Sequence, residues 1–434
     1  MKQGATLSLP KGWVIKKLGE VCRFINGRAY AQHELLKEGK YPVLRVGNFY
    51  TNRDWYYSDL ELPEDKYCEK GDLLYAWSAS FGPRIWDGEK VIYHYHIWKI
   101  EPNEKLIRKD FLFQLLEWDT EALKTAHGTG TTMMHVGKGS IEKRLIPLPP
   151  LPEQQRIVSI LDECFAAIDK AKANAEQNLK NARELFESVL QLTMDNGKLK
   201  IGDGWEERKL IEVFELKPQK KEARDKLKET DLVTFLPMED LGVLNKEIVG
   251  VKERKLKDVS GSYTYFAEND VLLAKITPCF ENGKIGIARN LINGVGFGSS
   301  EYIVFRSQGS IEPEYLYYFL SRNHIREEGR KYMSGAVGHK RVSKEWIENY
   351  LISFPKSKGE QQTIVRQLDA LRAETQKLEA IYQQKLLYLE ELKKSVLQKA
   401  FAGELRSPEG AEYPNDGHCP SDKKKKTITS PERA

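Results

Sequence analysis

Two stretches of this chain carry the same landmarks at the same spacing, and that repetition limits what it can fold into more than any single motif does. Glu153-Gln154-Gln155 opens a long helical pattern that closes on Ser188-Val189-Leu190-Gln191. Glu360-Gln361-Gln362 opens a second one that closes on Ser395-Val396-Leu397-Gln398, displaced by 207 residues, with Leu161-Asp162 and Leu368-Asp369 in register between them. Further upstream, Gly12-Trp13 and Leu18-Gly19-Glu20-Val21 match Gly204-Trp205 and Leu210-Ile211-Glu212-Val213 at an offset of 192. A period this long excludes a solenoid or propeller, whose repeats run roughly 20 to 50 residues. The chain therefore reads as two copies of a whole domain plus a helix. The two offsets differ by about 15 residues, which places the extra length in the second globular segment.

Both helical stretches carry a heptad seam. In the first, Ile157, Leu161, Cys164, Ile168, Ala171, Ala175, Asn178, Ala182, Leu185, Val189 and Leu192 follow at spacings of four and three. The second repeats the register through Ile364, Leu368, Leu371, Thr375, Leu378, Tyr382, Lys385, Leu389, Leu392 and Val396. Such a seam predicts that the helices pair as a coiled coil. The prolines of Ile146 to Pro152 and of Ile352 to Pro355 lead into the helices, and Glu153 and Glu360 suit their N-termini. Gly197 and Gly403 are read as their C-terminal stops. The expected organisation is a first domain over 1–151, a helix over 152–197, a second domain over 198–358, a helix over 359–405 and a disordered tail over 406–434.

The globular segments look mixed. Val91 to Trp98 alternates like a strand that would place His94 and His96 on one face. Asp270 to Ile276 and Tyr302 to Phe305 read as buried strands, and Phe111 to Glu117 and Pro313 to Leu320 as short helices. An α+β domain is expected in each copy.

Composition narrows the class. With 40% hydrophobic and 30% charged residues over 434 positions, the chain reads as globular and large enough for several cores. It contains no apolar run of membrane-spanning length and no signal-peptide pattern, so a cytoplasmic protein is expected. Five cysteines without CxxC spacing suggest reduced thiols and no zinc site. The net charge of +5, from 68 basic and 63 acidic residues, is too small to argue a nucleic-acid partner. The run Lys423 to Lys426 reads as part of a solvated tail.

Enzyme signatures fail on inspection. Gly128 to Gly139 does not fit the Walker spacing, Gly294 to Gly298 precedes a strand and not a helix, and no HExxH or nucleophile elbow occurs. His94 and His96 lack an evident third metal ligand. Binding chemistry is easier to find. Glycine-containing loops bring His135, Lys138, Lys143 and Arg144 together in one copy and His339, Lys340, Arg341 and Lys344 in the other. Arg45, Asn48, Tyr50, Trp77 and Arg84 are further candidates in the first copy, and Lys275, Thr277, Lys284 and Ser299 in the second. Arginine can bridge guanine and asparagine adenine, so these groups are chemically able to contact DNA.

The whole pattern resembles the specificity subunit of type I restriction–modification systems. The resemblance rests on the Pro-x-x-Glu-Gln-Gln helix start at 150–155 and on Ser395-Val-Leu-Gln-Lys-Ala-Phe-Ala-Gly-Glu-Leu405. It covers about residues 10 to 405. Lys275-Ile-Thr-Pro278, Glu281-Asn-Gly-Lys284 and Gly298-Ser-Ser-Glu301 also resemble one recurring type of target-recognition domain. This resemblance implies that each domain reads half of a split, asymmetric DNA site. It implies that the two helices pack antiparallel as a spacer with pseudo-twofold symmetry, and that this chain is not catalytic. Two modification subunits using S-adenosylmethionine and two restriction subunits using ATP and Mg are the implied partners. A coiled-coil scaffold that does not read DNA, and a nuclease or methyltransferase with an unrecognised active site, remain as alternatives.

Overall fold

The computed structural model describes residues 9–51, 54–78, 82–127, 137–199, 204–248, 252–336 and 338–405. The side chains of 122–127 and 196–199 are not described. The chain divides into two compact units: 1–171 with 388–434, and 172–387. Each unit contains one globular segment, part of one long helix and part of the other.

In the first unit, β1 (Val14–Lys17) pairs with β10 (Leu145–Leu148), and the rest of the segment forms two four-stranded sheets. One sheet has the order β2 (Cys22–Asn26), β9 (Ile97–Pro102), β6 (Leu73–Ala76), β7 (Gly82–Ile85), all antiparallel. The other runs β4 (Tyr56–Ser58), β3 (Tyr41–Leu44), β8 (Val91–Tyr93), β5 (Tyr67–Cys68), with β3 and β8 parallel. The strand expected over 91–98 is thus split in two. Ile97 N–H donates to the His94 carbonyl (2.9 Å), closing a turn where the chain crosses from one sheet to the next. His94 and His96 sit in that turn and not on one strand face.

The second unit repeats this plan strand for strand. Here β11 (Trp205–Lys209) pairs with β22 (Leu351–Pro355). One sheet is β12 (Phe214–Leu216), β19 (Tyr302–Ser307), β16 (Val271–Ala274), β17 (Ile285–Ile287). The other is β14 (Lys252–Lys255), β13 (Leu232–Leu236), β18 (Val295–Gly298), β15 (Thr264–Ala267), with β13 and β18 parallel. A short hairpin, β20 (Met333–Ser334) and β21 (Arg341–Val342), is added. The glycines at 294–298 therefore belong mostly to strand β18. Gly296 lies under the Phe266 ring, where a Cβ would come within 2.0 Å of a ring carbon. Part of the surplus length of this segment lies in connections: the five residues 77–81 between β6 and β7 correspond to the ten residues 275–284 between β16 and β17.

The long helices run Leu151–Leu199 and Lys358–Phe401. Gly197, read from sequence as a stop, lies inside the first. Gly403 does end the second. At φ +74° it lets its own N–H reach Ala400 O (3.2 Å) and the Glu404 N–H reach Lys399 O (2.9 Å), a Schellman closure. A Cβ at 403 would also strike Pro10.

Both starts are fixed by the middle residue of the Glu-Gln-Gln triplet, which is fully buried in each copy. Gln154 Nε2 donates to Leu106 O and Pro149 O (both 2.9 Å), and its Oε1 accepts from Arg108 N (2.8 Å). Gln361 makes the same set, to Ser310 O (3.0 Å), to Pro355 O (2.8 Å) and from Glu312 N (2.8 Å). The amide thereby satisfies backbone groups at the turn into the helix and at the approach to a neighbouring helix, tying the two together with one side chain.

The helices run antiparallel within each unit. In the first, Arg156 donates to Leu405 O (3.0 Å), while Lys393 lies over the Phe165 ring (4.9 Å). In the second, Arg183 pairs with Glu379 (2.9 Å) and Arg372 lies over Phe186 (4.8 Å). In both, rising numbers on one helix meet falling numbers on the other. Of the predicted seam, Ile157, Leu161, Ile168, Ala175, Ala182, Leu368 and Thr375 are buried, whereas Ile364, Leu371, Val189, Leu389 and Val396 are half-buried. Leu185, Leu192, Leu378 and Leu392 are exposed, which corrects the seam. Beyond Ala182 the buried face moves to Phe186, Leu190 and Met194, spaced by four, because this stretch joins the second segment's core, with Trp205 and Tyr315, as well as Leu368 of the other helix.

Candidate nucleic-acid interface

The turn that joins the two sheets occupies the same place in both units. In the second it is Ser299-Ser300-Glu301, between β18 and β19. The Lys275 N–H donates to Glu301 O (3.0 Å), as the Trp77 N–H donates to His96 O (3.0 Å) in the first. Repeat register thus equates Lys275 with Trp77 and Glu301 with His96.

Around Glu301 the second unit gathers five of the residues singled out from sequence: Lys275, Thr277, Ser299, Lys340 and Arg341. Backbone bonds fix the three segments involved: Thr277 N to Lys340 O and Val342 N to Lys275 O, both 2.9 Å. Arg341 lays its guanidinium against the Glu301 carboxylate through Nε (2.9 Å) and Nη2 (2.8 Å), while Nη1 donates to His339 O (3.0 Å). Lys275 Nζ donates to Ser300 O (2.9 Å) and stands 3.9 Å from the same carboxylate. Arg341 beside it holds the Glu301 carboxyl below its ordinary range. Thr277 Oγ1 donates to Glu281 (3.0 Å), and Ser299 Oγ accepts from Glu301 N (3.2 Å). The side chains of His339, Lys340 and Arg341 are exposed. Lys284 points elsewhere, to Met238 O (2.6 Å), where it ties down the 238–240 turn. Lys344 lies in the helix after the hairpin, paired with Glu348 (3.2 Å).

The equivalent place in the first unit is aromatic. Trp77 donates from Nε1 to Tyr95 O (2.7 Å), stacks on Trp98 (5.8 Å) and meets His96 edge-on (5.0 Å). His94 lies 4.8 Å from His96, ring to ring, and 6.4 Å from Tyr30, with Tyr30 stacked beside it. Burial, followed by the charges of His96 and Arg45, lowers the His94 imidazole to about 4. Among the described residues no group of three or more His, Cys, Asp and Glu could hold a metal ion.

Arg45, Asn48, Tyr50 and Arg84 form a separate group at an open cleft of about 560 Å³, which Asn48, Tyr50 and Arg84 line together with Trp55 and Trp86. Arg45 lies over Tyr56 (4.2 Å), and its backbone N–H is capped by Asn48 Oδ1 (3.3 Å). Asn48 is buried and Tyr50 exposed. Arg84 pairs with Asp87 (3.0 Å) and donates to Phe49 O. Arg144 is anchored on the buried Asp119 and so serves structure. Lys138 pairs with Glu142 (3.7 Å) and Lys143 is exposed. His135 lies outside the described residues.

Sequence reasoning did not include Tyr95 or Glu301 among the candidate contacts, and it set His94 and His96 aside. The signal for all four was the repeat itself, carried from the helices into the turn between the sheets.

A family profile described as type I restriction modification DNA specificity domain matches residues 10–180 and again 202–387. The chain belongs to this family and carries two copies of its domain. It is 26% identical over 447 residues to the type I restriction enzyme EcoBI specificity subunit of Escherichia coli, covering 94% of this chain and 90% of that one. It is 31% identical over 231 residues to the EcoAI specificity subunit of the same species, covering 52% of this chain and 37% of the relative. The fold matches a solved chain of a type I R-M system at a TM-score of 0.70 and 21% identity, covering 92% of this chain and all of that one. It also matches the HsdS subunit from Thermoanaerobacter tengcongensis at 0.55 and 20% identity, with 92% and 98% covered. No helix among the described residues is long and apolar enough to cross a membrane.

Proposed function

We propose that each globular segment reads one half of a split, asymmetric DNA site, and that the paired helices set the gap between the halves and dock the modification subunits. The observation that carries this reading is the duplicated plan. One strand topology, used twice, presents the same turn between its two sheets with different side chains on and beside it: Tyr95 and His96 next to Trp77 in one copy, Glu301 next to Lys275 and Arg341 in the other. Equal frames with unequal contact chemistry are what an asymmetric bipartite site requires.

On this reading the chain contributes recognition and no chemistry of its own. Two modification subunits carry S-adenosylmethionine and methylate adenine, and two restriction subunits use ATP and Mg. The complex works in the cytoplasm, on double-stranded DNA.

Modified-base sequencing of genomic DNA, with the chain intact and deleted, tests the proposal. A split, asymmetric adenine-methylation motif that vanishes on deletion is the expected result. A motif set that does not change in cells expressing the whole complex refutes it. Exchanging residues 210–350 for another recognition domain is expected to change one half of the motif and leave the other.

A further inference from the structure

Arg341 and Glu301 form a preset pair at the edge of the second unit. Their side chains are 46% and 21% exposed, and an ion pair so open to water contributes little to folding. Yet its setting is tightly built. Glu301 is tied through its carbonyl to Lys275 N and through its N–H to Ser299 Oγ, and β21, which carries Arg341, is bonded back to Lys275. The guanidinium has five N–H groups. Its bonds to Glu301 and to His339 O use Nε, one N–H of Nη2 and one of Nη1. One N–H remains on each terminal nitrogen, in the plane that the carboxylate fixes. Two such donors can meet O6 and N7 of guanine, the bidentate contact that arginine makes in the major groove. A phosphate contact needs no plane held in this way, since charge alone suffices for it.

We propose that Arg341, held in plane by Glu301, reads one guanine in the half-site assigned to the second domain, with Glu301 as its positioning residue. This rests on the bipartite reading above. Its chemistry is narrower: one base, one edge, two donors. Lys275 supplies positive charge beside the carboxylate, so that the acid does not repel the DNA backbone.

The test is selection from a duplex library with both half-sites randomised, using the full-length chain copurified with its methyltransferase partner. R341A and R341K are expected to lose at least about fivefold of the preference for guanine at one position of the second half, with the other positions and the first half unchanged. E301A is expected to relax that same position without weakening binding to unrelated duplex, because it frees the arginine and removes a negative charge. Preservation of every base preference in R341A overturns the proposal. So does a uniform loss across all sequences, which would make Arg341 a phosphate contact, and so does relaxation at a base other than guanine. Failure of the unaltered chain to select any split site overturns the bipartite reading itself, an outcome distinct from the other three. The retained first half-site serves as the folding control for each variant.

Discussion

Gln361 Nε2 donates to Pro355 O at 2.8 Å, closing the turn by which β22 enters the second long helix. The same amide also serves Ser310 O and Glu312 N, so one side chain ties strand end, helix start and a neighbouring helix together.

Replacing Gln361 by Ala leaves three backbone groups without that partner, of which Pro355 O is in a buried residue. We expect a loss of about 3 kcal/mol, with hydrogen-exchange protection falling within 310–316 and 351–365 and unchanged around Gln154. Q154A is expected to do the same near 106–112. Equal loss of protection in both units for either variant would contradict independent clamps.

The matching Leu-Asp pairs predict unequal effects. Asp369 accepts Lys246 Nζ on both oxygens (2.7 Å each) and the Tyr318 hydroxyl (2.5 Å), while Asp162 in the first unit is exposed. In urea unfolding, D369A is expected to cost about 1 kcal/mol, given its partial exposure. D162A should stay within about 0.5 kcal/mol.

The corrected seam can be tested by neighbours on one helix. Phe186 is 4% exposed and Leu185 is 49% exposed. F186A should lose about 3 kcal/mol of stability and L185A no more than about 0.5 kcal/mol. The reverse order would restore the heptad register read from sequence.

His94 gives a pH dependence. Its folded imidazole is lowered from 6.5 to about 4, so between those values the unfolded chain binds a proton that the folded chain refuses. Stability from this group is complete above pH 6.5 and falls as the pH drops towards 4. The melting temperature should decline over that window, and H94Q should flatten the decline. An identical slope in the variant would assign the effect to other groups.

Much of this architecture is legible in the chain. The repeat, the two helices and the mixed character of the segments follow from Glu153, Glu360 and their in-register companions. The division of each segment into two sheets does not, because strands such as Tyr67–Cys68 and Ile285–Ile287 are too short, and too buried on both faces, to show alternation. The seam misleads beyond Ala182 because a domain core, and not only a partner helix, covers the helix there. The role of Glu301, noted in sequence only as part of a motif, stays hidden for a different reason. Its partner Arg341 lies 40 residues away, and no local pattern records a pairing made across the fold.

The unequal connections between β6 and β7 and between β16 and β17 have an energetic side. In closure entropy alone, ten connecting residues in place of five cost only about 0.6 kcal/mol, whereas moving one strand by a single residue would turn every side chain it carries to the wrong face. Variation is therefore steeply channelled. Within 275–284 the fully buried Phe280 and the backbone bond from Thr277 N to Lys340 O hold the connection to the core, so change is cheap only at its exposed side chains, while the sheets beneath it tolerate hardly any.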